Sequence, residues 1–424
     1  MFKTTIEKFR QYIINTKVAE NFGFMTLQSV GNILIGLVMY SYTLRTLGAE
    51  NYGLYVFVFS IITYCTALIE FGFYVPATKA VVDNKNNHDA LGRIVSRIIL
   101  IRTFLTIFTA AALTIVIILI PMLREYWQLF AILFLISVSS IFTINWYYQG
   151  LKRMRVVTIV ALALRLSSVP LILIFVCNES CLVAYLVIAA STQAITNITT
   201  TVYAIIHDKL RLRLIALREM WQYTKECSPF FFTNGLDAIK DAVLPVTIGA
   251  FLGMRDVAIF NLADKIVSIT WTSIENVNIA LYPEFINKAT HSVVRTIIKY
   301  EFIIGFCAMA GIAAFGYWFV LLLGGEEMLG SYPIAIVLSF KIMSYLYVCA
   351  CNDFIFIPRG RYINITIRQA FTTVLSVTAC YVGLSISPTI IMAASLTAVT
   401  YVLEMLFCRY LARRTPYVEY KKST

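Results

Sequence analysis

The sequence has 424 residues, of which 59% are hydrophobic and only 14% are charged, whereas an ordinary soluble domain has roughly 25% charged residues. This balance excludes a soluble globular protein. The net charge of +12 is therefore weak support for nucleic-acid binding, because no soluble fold is available to present a basic surface. The charges lie in short clusters between apolar stretches of about 20 residues, the length at which a helix crosses a bilayer. The pattern predicts an all-α, multi-pass membrane protein.

The chain opens with a basic segment, 1–24, in which apolar residues recur at helical spacing. This segment predicts either an amphipathic helix along the cytoplasmic membrane surface or an unstructured leader. A basic cytoplasmic tail, 411–424, closes the chain. Between them we predict twelve spans, at 25–44, 54–75, 98–121, 127–148, 156–177, 182–206, 228–252, 257–282, 302–323, 332–357, 363–386 and 388–410.

The basic residues set the orientation of these spans. Most of the 35 Lys and Arg residues lie in the opening segment, in the tail and in the loops that follow even-numbered spans. The other loops contain only Arg45, Arg124 and Arg255. Because positively charged loops stay on the cytoplasmic side, both termini are predicted to be cytoplasmic.

The longest inner loop, 207–227, divides the spans into an N-lobe, 25–206, and a C-lobe, 228–410. The two lobes contain a short repeat, since Leu47-Gly48 after span 1 matches Leu252-Gly253 after span 7. Both segments run from inside to outside. A repeat of this sense predicts two six-helix lobes related by a pseudo-two-fold axis along the membrane normal.

Spans 7 and 8 carry ionisable residues well inside their apolar stretches. In span 7, Asp237, Lys240 and Asp241 share a helix face with Asn234. Span 8 has a polar stripe of about five turns. The stripe comprises Asn261, Asp264, Lys265, Ser268, Thr272, Glu275 and either Asn276 or Asn278. A charge at mid-bilayer costs at least about 2.5–3.5 kcal/mol, so the stripe predicts helices that line a wet passage. The alternative is that these charges only hold helices together, for example by pairing Asp264 or Glu275 with Lys240.

Single charges occupy other spans. Arg165 and Lys341 lie in otherwise apolar spans, where helix packing and ligand binding remain equally open. Charges nearer the span ends are expected to reach the membrane interface; they are Glu70, Arg102, Asp353 and Glu404. The segment NWYYQG, 145–150, ends span 4 as a predicted aromatic belt.

The sequence contains no phosphate-binding G-x-x-x-x-G-K-[ST] motif, no metal-ligand spacing of Cys and His, and no pattern for nucleophilic or acid–base catalysis. We therefore expect neither an enzyme nor a metal or cofactor site. Cys177 and Cys181 flank the outer loop CNESC and could form a disulfide, whereas the remaining cysteines are expected to behave as small apolar residues.

Two segments carry a resemblance to a known family. They are LRTLGAENYGLYVFVFSIITYCTALIEFGFYVPATKAV, 44–81, and SPFFFTNGLDAIKDAVLPVTIGAFLGMRDVAIFNLADKIVSI, 228–269. Both resemble bacterial polysaccharide flippases of the Wzx type, within the multidrug/oligosaccharidyl-lipid/polysaccharide exporter superfamily. The resemblance implies a V-shaped central cavity between two lobes that alternates between the membrane faces. It implies a multi-pass protein of the bacterial inner membrane whose cargo is an undecaprenyl-pyrophosphate-linked O-antigen repeat unit, moved to the periplasmic leaflet.

The same resemblance implies roles for individual residues. The pyrophosphate would be bound by the cations Lys240, Lys265, Arg165 and Lys341. Glycan hydroxyls would be contacted by Asn32, Asn234, Asn261 and Asn278. A coupling H⁺ or Na⁺ would be carried by Glu70, Asp237, Asp241, Asp264 and Glu275. The implied partners are membrane lipids, the repeat-unit polymerase and the chain-length regulator, with no nucleic acid.

Two other functions remain open. A dedicated anion cavity should be more one-sidedly basic than spans 7 and 8, so a cation-coupled drug antiporter of the same superfamily is the main alternative. A membrane polysaccharide polymerase resembles this chain in hydropathy, but such an enzyme usually has a large outer loop that this sequence lacks.

Overall fold

The computed structural model describes residues 16–285 and 291–414, and all regular structure in these ranges is helical, which confirms the predicted all-α class. The α-helices are α1 (Thr16–Glu70), α2 (Tyr74–Asp83), α3 (His88–Leu119), α4 (Pro121–Arg124), α5 (Trp127–Ser139), α6 (Asn145–Gly150), α7 (Met154–Phe175), α8 (Leu182–His207), α9 (Leu217–Phe251), α10 (Met254–Phe285), α11 (His291–Gly324), α12 (Ser331–Cys351), α13 (Tyr362–Ile386) and α14 (Ile390–Arg413). Short 3₁₀ turns occupy Ser140–Phe142, Glu179–Cys181, Glu326–Met328 and Ile357–Arg359, and a π-helix spans Asn352–Phe356.

Nine helical stretches within the described ranges are long and apolar enough to cross a membrane, which makes this a multi-pass membrane protein. The first of them, Val30–Asp83, is 54 residues long and includes most of predicted span 1 and all of predicted span 2. Helices α9 and α10, which hold the charged spans 7 and 8, are not among the nine. The count of twelve spans stays a prediction. The first 15 residues of the predicted amphipathic segment, and the tail beyond residue 414, lie outside the described residues.

Predicted span 1 and most of predicted span 2 lie in two helices, numbered together as α1, that meet at Gly48, whose backbone angles (φ 74°, ψ 164°) are not helical. The matching Gly253 between α9 and α10 also has a positive φ, 108°. Only glycine adopts such backbone angles at low cost, because it has no Cβ. The sequence match thus extends to the backbone at these two turns, while the pseudo-two-fold relation between whole lobes stays a prediction.

The described chain divides into two compact units. Unit 1 contains the described residues up to Thr46 together with Ile61–Gly235, and unit 2 contains Leu47–Ser60 and the described residues from Leu236 onward. In unit 1 a buried cluster packs α2, α3 and α6 around Phe73, Leu91 and Trp146. In unit 2, helix α12 is central, because it packs against α10, α11 and α14.

The predicted aromatic belt at 145–150 is wrong. Trp146, Tyr147 and Tyr148 are at most 2% exposed and lie in the core of unit 1. Their polar atoms are satisfied inside the protein, because Trp146 Nε1 donates to the Thr143 carbonyl at 3.2 Å and Tyr148 Oη donates to the Thr200 carbonyl at 2.6 Å. An aromatic ring whose polar atom is already paired gains little from the membrane interface, so burial is favoured.

Candidate functional site

A cavity of about 240 Å³ lies inside unit 2. Helices α9, α10, α12, α13 and α14 each contribute to its wall, so the site depends on the folding of nearly the whole unit. Its lining residues are Lys240, Leu244, Pro245, Phe260, Asn261, Asp264, Ser268, Trp271, Lys341, Ser376, Cys380, Leu396, Thr397, Thr400 and Tyr401.

Four of the predicted site residues meet in this cavity: Lys240, Asn261, Asp264 and Lys341. On α10 the spacing of the stripe explains the placement, since Asn261, Asp264 and Ser268 recur every three or four residues and share one helix face. The two lysines come from different helices, α9 and α12. The structure therefore brings together cations that lie 101 positions apart in the sequence.

The lysine of α12 forms an ion pair across the cavity. Lys341 Nζ donates to Asp264 Oδ1 on α10. The Lys341 side chain is 9% exposed, whereas the Asp264 side chain is 36% exposed. The carboxylate is therefore the more accessible half of the pair, and the ammonium group is held deeper in unit 2.

The lysine of α9 contacts a second, fully buried ion pair. Arg368 Nη1 on α13 donates to Glu404 Oε1 on α14, and both side chains are at most 4% exposed. Lys240 Nζ lies 3.7 Å from the other carboxylate oxygen, Glu404 Oε2. Glu404 is thus shared by two cations. The prediction that Glu404 reaches the membrane interface is wrong, because its carboxylate is enclosed by these two partners.

Arg368 and Tyr401 were not singled out from the sequence. Arg368 lies inside predicted span 11. It could have been found in the same way as the other charges, because an ionisable residue inside a membrane span is a candidate functional residue. Tyr401 lies three residues before Glu404, on the same face of α14. Its ring centroid is 5.1 Å from Lys240 Nζ and 5.7 Å from Lys341 Nζ. Since a cation within about 6 Å of a ring face is attracted to it, Tyr401 holds the two lysines as neighbours.

The five ionisable side chains that these contacts link comprise three cations and two carboxylates, a formal surplus of one positive charge. Ion pairs between helices are what the helix-packing alternative predicts. That alternative does not predict a cavity beside the pairs, with Asp264 partly exposed in its wall. The described arrangement therefore holds helices together and also leaves two lysines and a carboxylate in the wall of a cavity.

The other predicted residues with described side chains lie elsewhere. Lys265 is not among the residues that line this cavity in the described part of the chain. Arg165 and Asn32 belong to unit 1, where Arg165 Nη1 donates to Asn32 Oδ1 at 3.1 Å. Glu70, at the end of α1, acts electrostatically on Arg102 in unit 1. The side chains of Asn234, Asp237, Asp241, Glu275, Asn276 and Asn278 lie outside the described residues.

Arg102 corrects another expectation. Its side chain was predicted to reach the membrane interface, but the residue is 2% exposed. Its Nη1 donates to the carbonyls of Ser140 at 2.9 Å and Thr143 at 2.6 Å. These carbonyls lie where α5 gives way to a 3₁₀ turn, and they also accept from the Thr143 N–H at 3.0 Å and from Trp146 Nε1 at 3.2 Å respectively. Arg102 therefore ties α3 to this break in the helix from a buried position.

Neither a metal cluster nor a disulfide was found among the described groups. No set of three or more His, Cys, Asp or Glu side chains there is arranged to hold a metal ion. All nine cysteines are free thiols, so the disulfide between Cys177 and Cys181 that the sequence left open is not formed.

Two comparisons by sequence give a consistent result. A family model described as "Polysaccharide biosynthesis protein" matches residues 18–288. A protein of Escherichia coli (strain K12) described as a putative O-antigen transporter is 22% identical over 260 residues, which is 61% of this chain and 63% of the relative. The match thus spans less than two thirds of that relative.

Comparison with solved structures shows the fold. An inward-facing multidrug resistance MATE family transporter of the MOP superfamily aligns with a TM-score of 0.66 at 13% identity, over 92% of this chain and 95% of that one. The lipid II flippase MurJ, in an inward closed conformation, aligns with a TM-score of 0.63 at 12% identity, over 93% and 88%. An outward-facing MATE transporter aligns with a TM-score of 0.58 at 16% identity, over 96% of both chains.

Proposed function

Since the chain belongs to the polysaccharide biosynthesis protein family and has the fold of the MOP superfamily, we propose that it is a flippase for lipid-linked oligosaccharides. The proposed cargo is an undecaprenyl-pyrophosphate-linked repeat unit of O-antigen type, moved by alternating access from the cytoplasmic to the periplasmic leaflet of a bacterial inner membrane. Coupling to H⁺ or Na⁺, and association with the repeat-unit polymerase and the chain-length regulator, are parts of the same proposal.

The observation that carries the proposal is the pair of lysines in the unit 2 cavity. A diphosphate diester has one negative charge on each phosphoryl group, and lysine binds phosphate as a compact point charge. Lys240 and Lys341 are held beside one another by Tyr401. Ser268, Thr397 and Thr400 add hydroxyl groups to the same wall, and such groups suit the polar start of a glycan. A cavity of about 240 Å³ has room for the charged headgroup rather than for a whole repeat unit.

The test is a pair of neutral lysine variants in cells that lack their own repeat-unit flippase. Lys240→Met and Lys341→Met keep much of the side-chain volume but remove the charge. Each is expected to lower surface polysaccharide at least tenfold, the effect of losing about 1.4 kcal/mol of binding. Lipid-linked repeat units should accumulate in the same cells, because synthesis on the cytoplasmic leaflet continues.

The matched control is Lys85→Met, which removes an exposed lysine from the loop after α2 in unit 1. This variant should support normal surface polysaccharide. All three proteins must reach the membrane in equal amounts, as measured by immunoblotting. Normal surface polysaccharide in the double variant Lys240→Met/Lys341→Met would exclude the lysine cavity as the headgroup site.

The second candidate is a cation-coupled drug antiporter. The favouring observation is that Asp264 lines the cavity with its carboxylate partly exposed, beside the aromatic rings of Trp271 and Tyr401. Aromatic faces and a carboxylate are what a hydrophobic cation requires. Efflux of a cationic dye that Asp264→Asn abolishes, in cells whose surface polysaccharide is unchanged, would favour the antiporter.

A further inference from the structure

The wall of the unit 2 cavity changes in chemistry along its length. Helix α10 follows this wall from Phe260, near the turn at Gly253, to Trp271, a rise of about 16 Å. Asp264 lies between these two residues and pairs with Lys341, so charged side chains occupy the middle of the wall. The cavity therefore has two ends, one on each side of its charged centre.

The end of the cavity near the α9–α10 turn forms an apolar end. Leu244 and Pro245 line it from α9, and Leu396 lines it from α14. Helix α13 ends beside the end of α9, because the ring centroids of Phe251 and Tyr381 are 5.8 Å apart, and α14 begins directly after α13. The other lining residues of the apolar end are Phe260, Asn261 and Cys380. Apart from the one amide among them, these side chains suit a hydrocarbon chain.

The opposite end carries an aromatic ring and a hydroxyl group. Trp271 and Ser268 line it from α10. The Ser268 hydroxyl donates to the Lys265 carbonyl at 3.0 Å, so its oxygen still has a lone pair with which to accept a hydrogen bond. A sugar ring has C–H groups on its faces and hydroxyl groups at its edge. An aromatic face beside a hydrogen-bond acceptor is therefore a suitable site for a sugar.

The Trp271 ring lies about one helical turn from the charged centre. Its centroid is 4.1 Å from that of Tyr345 on α12. Tyr345 follows Lys341 by one turn of the same helix, which is about 5.4 Å. A sugar that is bonded directly to a diphosphate lies immediately beside it, so its ring meets Trp271 when the phosphates lie at the lysines.

We propose that the cavity binds the lipid-linked headgroup in one orientation, with the first sugar stacked on Trp271 and the first isoprenyl unit in the apolar end. The diphosphate then lies between them, at the level of the lysines. Trp271 is the specificity-determining residue, because it distinguishes a glycosylated diphosphate from one without a sugar. The inference rests on the proposed function, since it concerns the same headgroup site.

This orientation matches that of a lipid in the cytoplasmic leaflet. In the predicted topology α10 runs from the outer side to the cytoplasmic side, so the Trp271 end lies towards the cytoplasm. A lipid of the cytoplasmic leaflet has its sugar on that side and its hydrocarbon chain directed towards the bilayer centre. The cavity thus receives the cargo in the orientation that it has before translocation.

The test compares two ligands that differ only at the sugar. Geranyl glucosyl diphosphate and geranyl methyl diphosphate are both diphosphate diesters with the same charge. Each is titrated by isothermal calorimetry into the full-length protein in lipid nanodiscs, and the signal of empty nanodiscs is subtracted. The unaltered protein should bind the glucosyl ligand about fivefold more tightly, which is typical of one aromatic contact.

Three variants locate the two ends of the ligand. Trp271→Leu should abolish the glucosyl preference and leave the affinity for the methyl ligand unchanged, because only the sugar contacts the indole. The matched control is Trp318→Leu, at a tryptophan of α11 that is 62% exposed and does not line the described cavity; it should leave both affinities unchanged. Leu396→Ala in the apolar end should weaken both ligands equally, by about threefold.

Two results would overturn the proposal directly. One is a glucosyl preference that persists in Trp271→Leu. The other is a reversal, in which Leu396→Ala abolishes the preference and Trp271→Leu weakens both ligands equally. Trp271→Met is the variant to measure if Trp271→Leu does not fold, and a preference that persists there also overturns the proposal.

Surface polysaccharide separates this inference from the proposed function. An unchanged glucosyl preference in Trp271→Leu, with surface polysaccharide lost in Lys240→Met, overturns the binding orientation and leaves the flippase standing. A preference that requires Trp271, in a protein that never supports surface polysaccharide, supports the orientation and excludes the flippase.

Discussion

Glu404 shows how a single residue can be misread from hydropathy. It lies near the end of predicted span 12, where a carboxylate is expected to reach water, yet it is 2% exposed between Arg368 and Lys240. The distance from a span end reports depth in the membrane but not which face of the helix is packed. The tertiary fold determines which residue pairs with a buried charge, and neither Arg368 nor Lys240 is near Glu404 in the sequence.

The burial of this pair predicts a large effect on stability. Glu404→Gln leaves the charges of Arg368 and Lys240 without a carboxylate, and breaking a buried ion pair by removing one partner costs about 3–5 kcal/mol. We expect a lower unfolding midpoint for the purified protein in denaturant. The matched control is Glu327→Gln, at an exposed position in the turn before α12, which should leave the midpoint unchanged.

A second variant separates the cost of leaving buried charges unpaired from the loss of the pair's hydrogen bonds and packing. Arg368→Met/Glu404→Met removes one charge of each sign and replaces the pair by apolar groups, which is often neutral or stabilising. The double variant should therefore be more stable than Glu404→Gln. If it is less stable, the hydrogen bonds and packing of the pair matter more than its charge balance.

The environment of Asp208, just after α8 in unit 1, predicts that the stability of the folded protein depends on pH. Burial raises the pKa of its carboxyl, but hydrogen bonds from Tyr147, His207 and Arg153 outweigh burial and hold the pKa below its ordinary value. The Tyr147 hydroxyl lies 2.6 Å from Asp208 Oδ2, and Arg153 Nη1 lies 2.7 Å from Oδ1. The charged carboxylate is thus favoured in the folded state more than in the unfolded state.

The sign of the effect follows from this depressed pKa. The stability that Asp208 supplies is complete above the unfolded-state pKa of about 3.9 and is lost as the pH falls through the folded-state pKa. Asp208→Asn should therefore unfold at a lower temperature than the unaltered protein at pH 7. The difference between the two should shrink as the pH falls below about 4. A difference that stays constant down to the lowest pH would assign the effect to packing.

At the scale of helices, the sequence predicts elements better than it predicts contacts. The long apolar stretches and the polar face of α10 follow from local periodicity, and that face does line a cavity through Asn261, Asp264 and Ser268. Periodicity cannot select the partner of Asp264, which is Lys341 on α12 rather than Lys240. The sequence placed residues 45–53 between predicted spans 1 and 2, and the structure has helical backbone there except at Gly48, where the two helices meet.

The packing of one α1 segment against α10 can be tested by a single substitution. Gly53, in the α1 segment that belongs to unit 2, lies against α10 so closely that an added Cβ would overlap the carbonyl oxygen of Met254. Backbone atoms cannot move aside as a flexible side chain does, and overpacking costs about 1–3 kcal/mol. Gly53→Ala should therefore destabilise the protein in thermal unfolding, although alanine favours a helix by about 0.8–1.0 kcal/mol over glycine.

Gly311 is the matched control for this helix contact. It lies within α11, and a Cβ added there meets nothing within 4 Å. Gly311→Ala should raise the unfolding temperature slightly, because only the helix preference acts. Equal effects of Gly53→Ala and Gly311→Ala would mean that the α1 segment does not pack against α10 as tightly as described.

At the scale of the whole molecule, the orientation in the membrane stays a prediction of charge distribution. Cys177 provides a natural probe, because it is an exposed free thiol in the connection between α7 and α8, which should face outward. In intact spheroplasts a membrane-impermeant maleimide should label the unaltered protein. Cys177→Ser/Cys181→Ser should abolish that labelling, since exposed Cys307 lies within an apolar span of α11, where lipid excludes the reagent.

The opposite face is tested in the same background. Lys85 is exposed in the loop after α2, where clustered Lys and Arg predict the cytoplasmic side. Lys85→Cys added to Cys177→Ser/Cys181→Ser should be labelled only after the membrane is permeabilised. Labelling of Lys85→Cys in intact spheroplasts, with no labelling of Cys177, would show that the topology is the inverse of the predicted one. If the topology is inverted, every loop lies on the opposite side of the membrane from the one predicted. The proposed direction of transport therefore depends on this result.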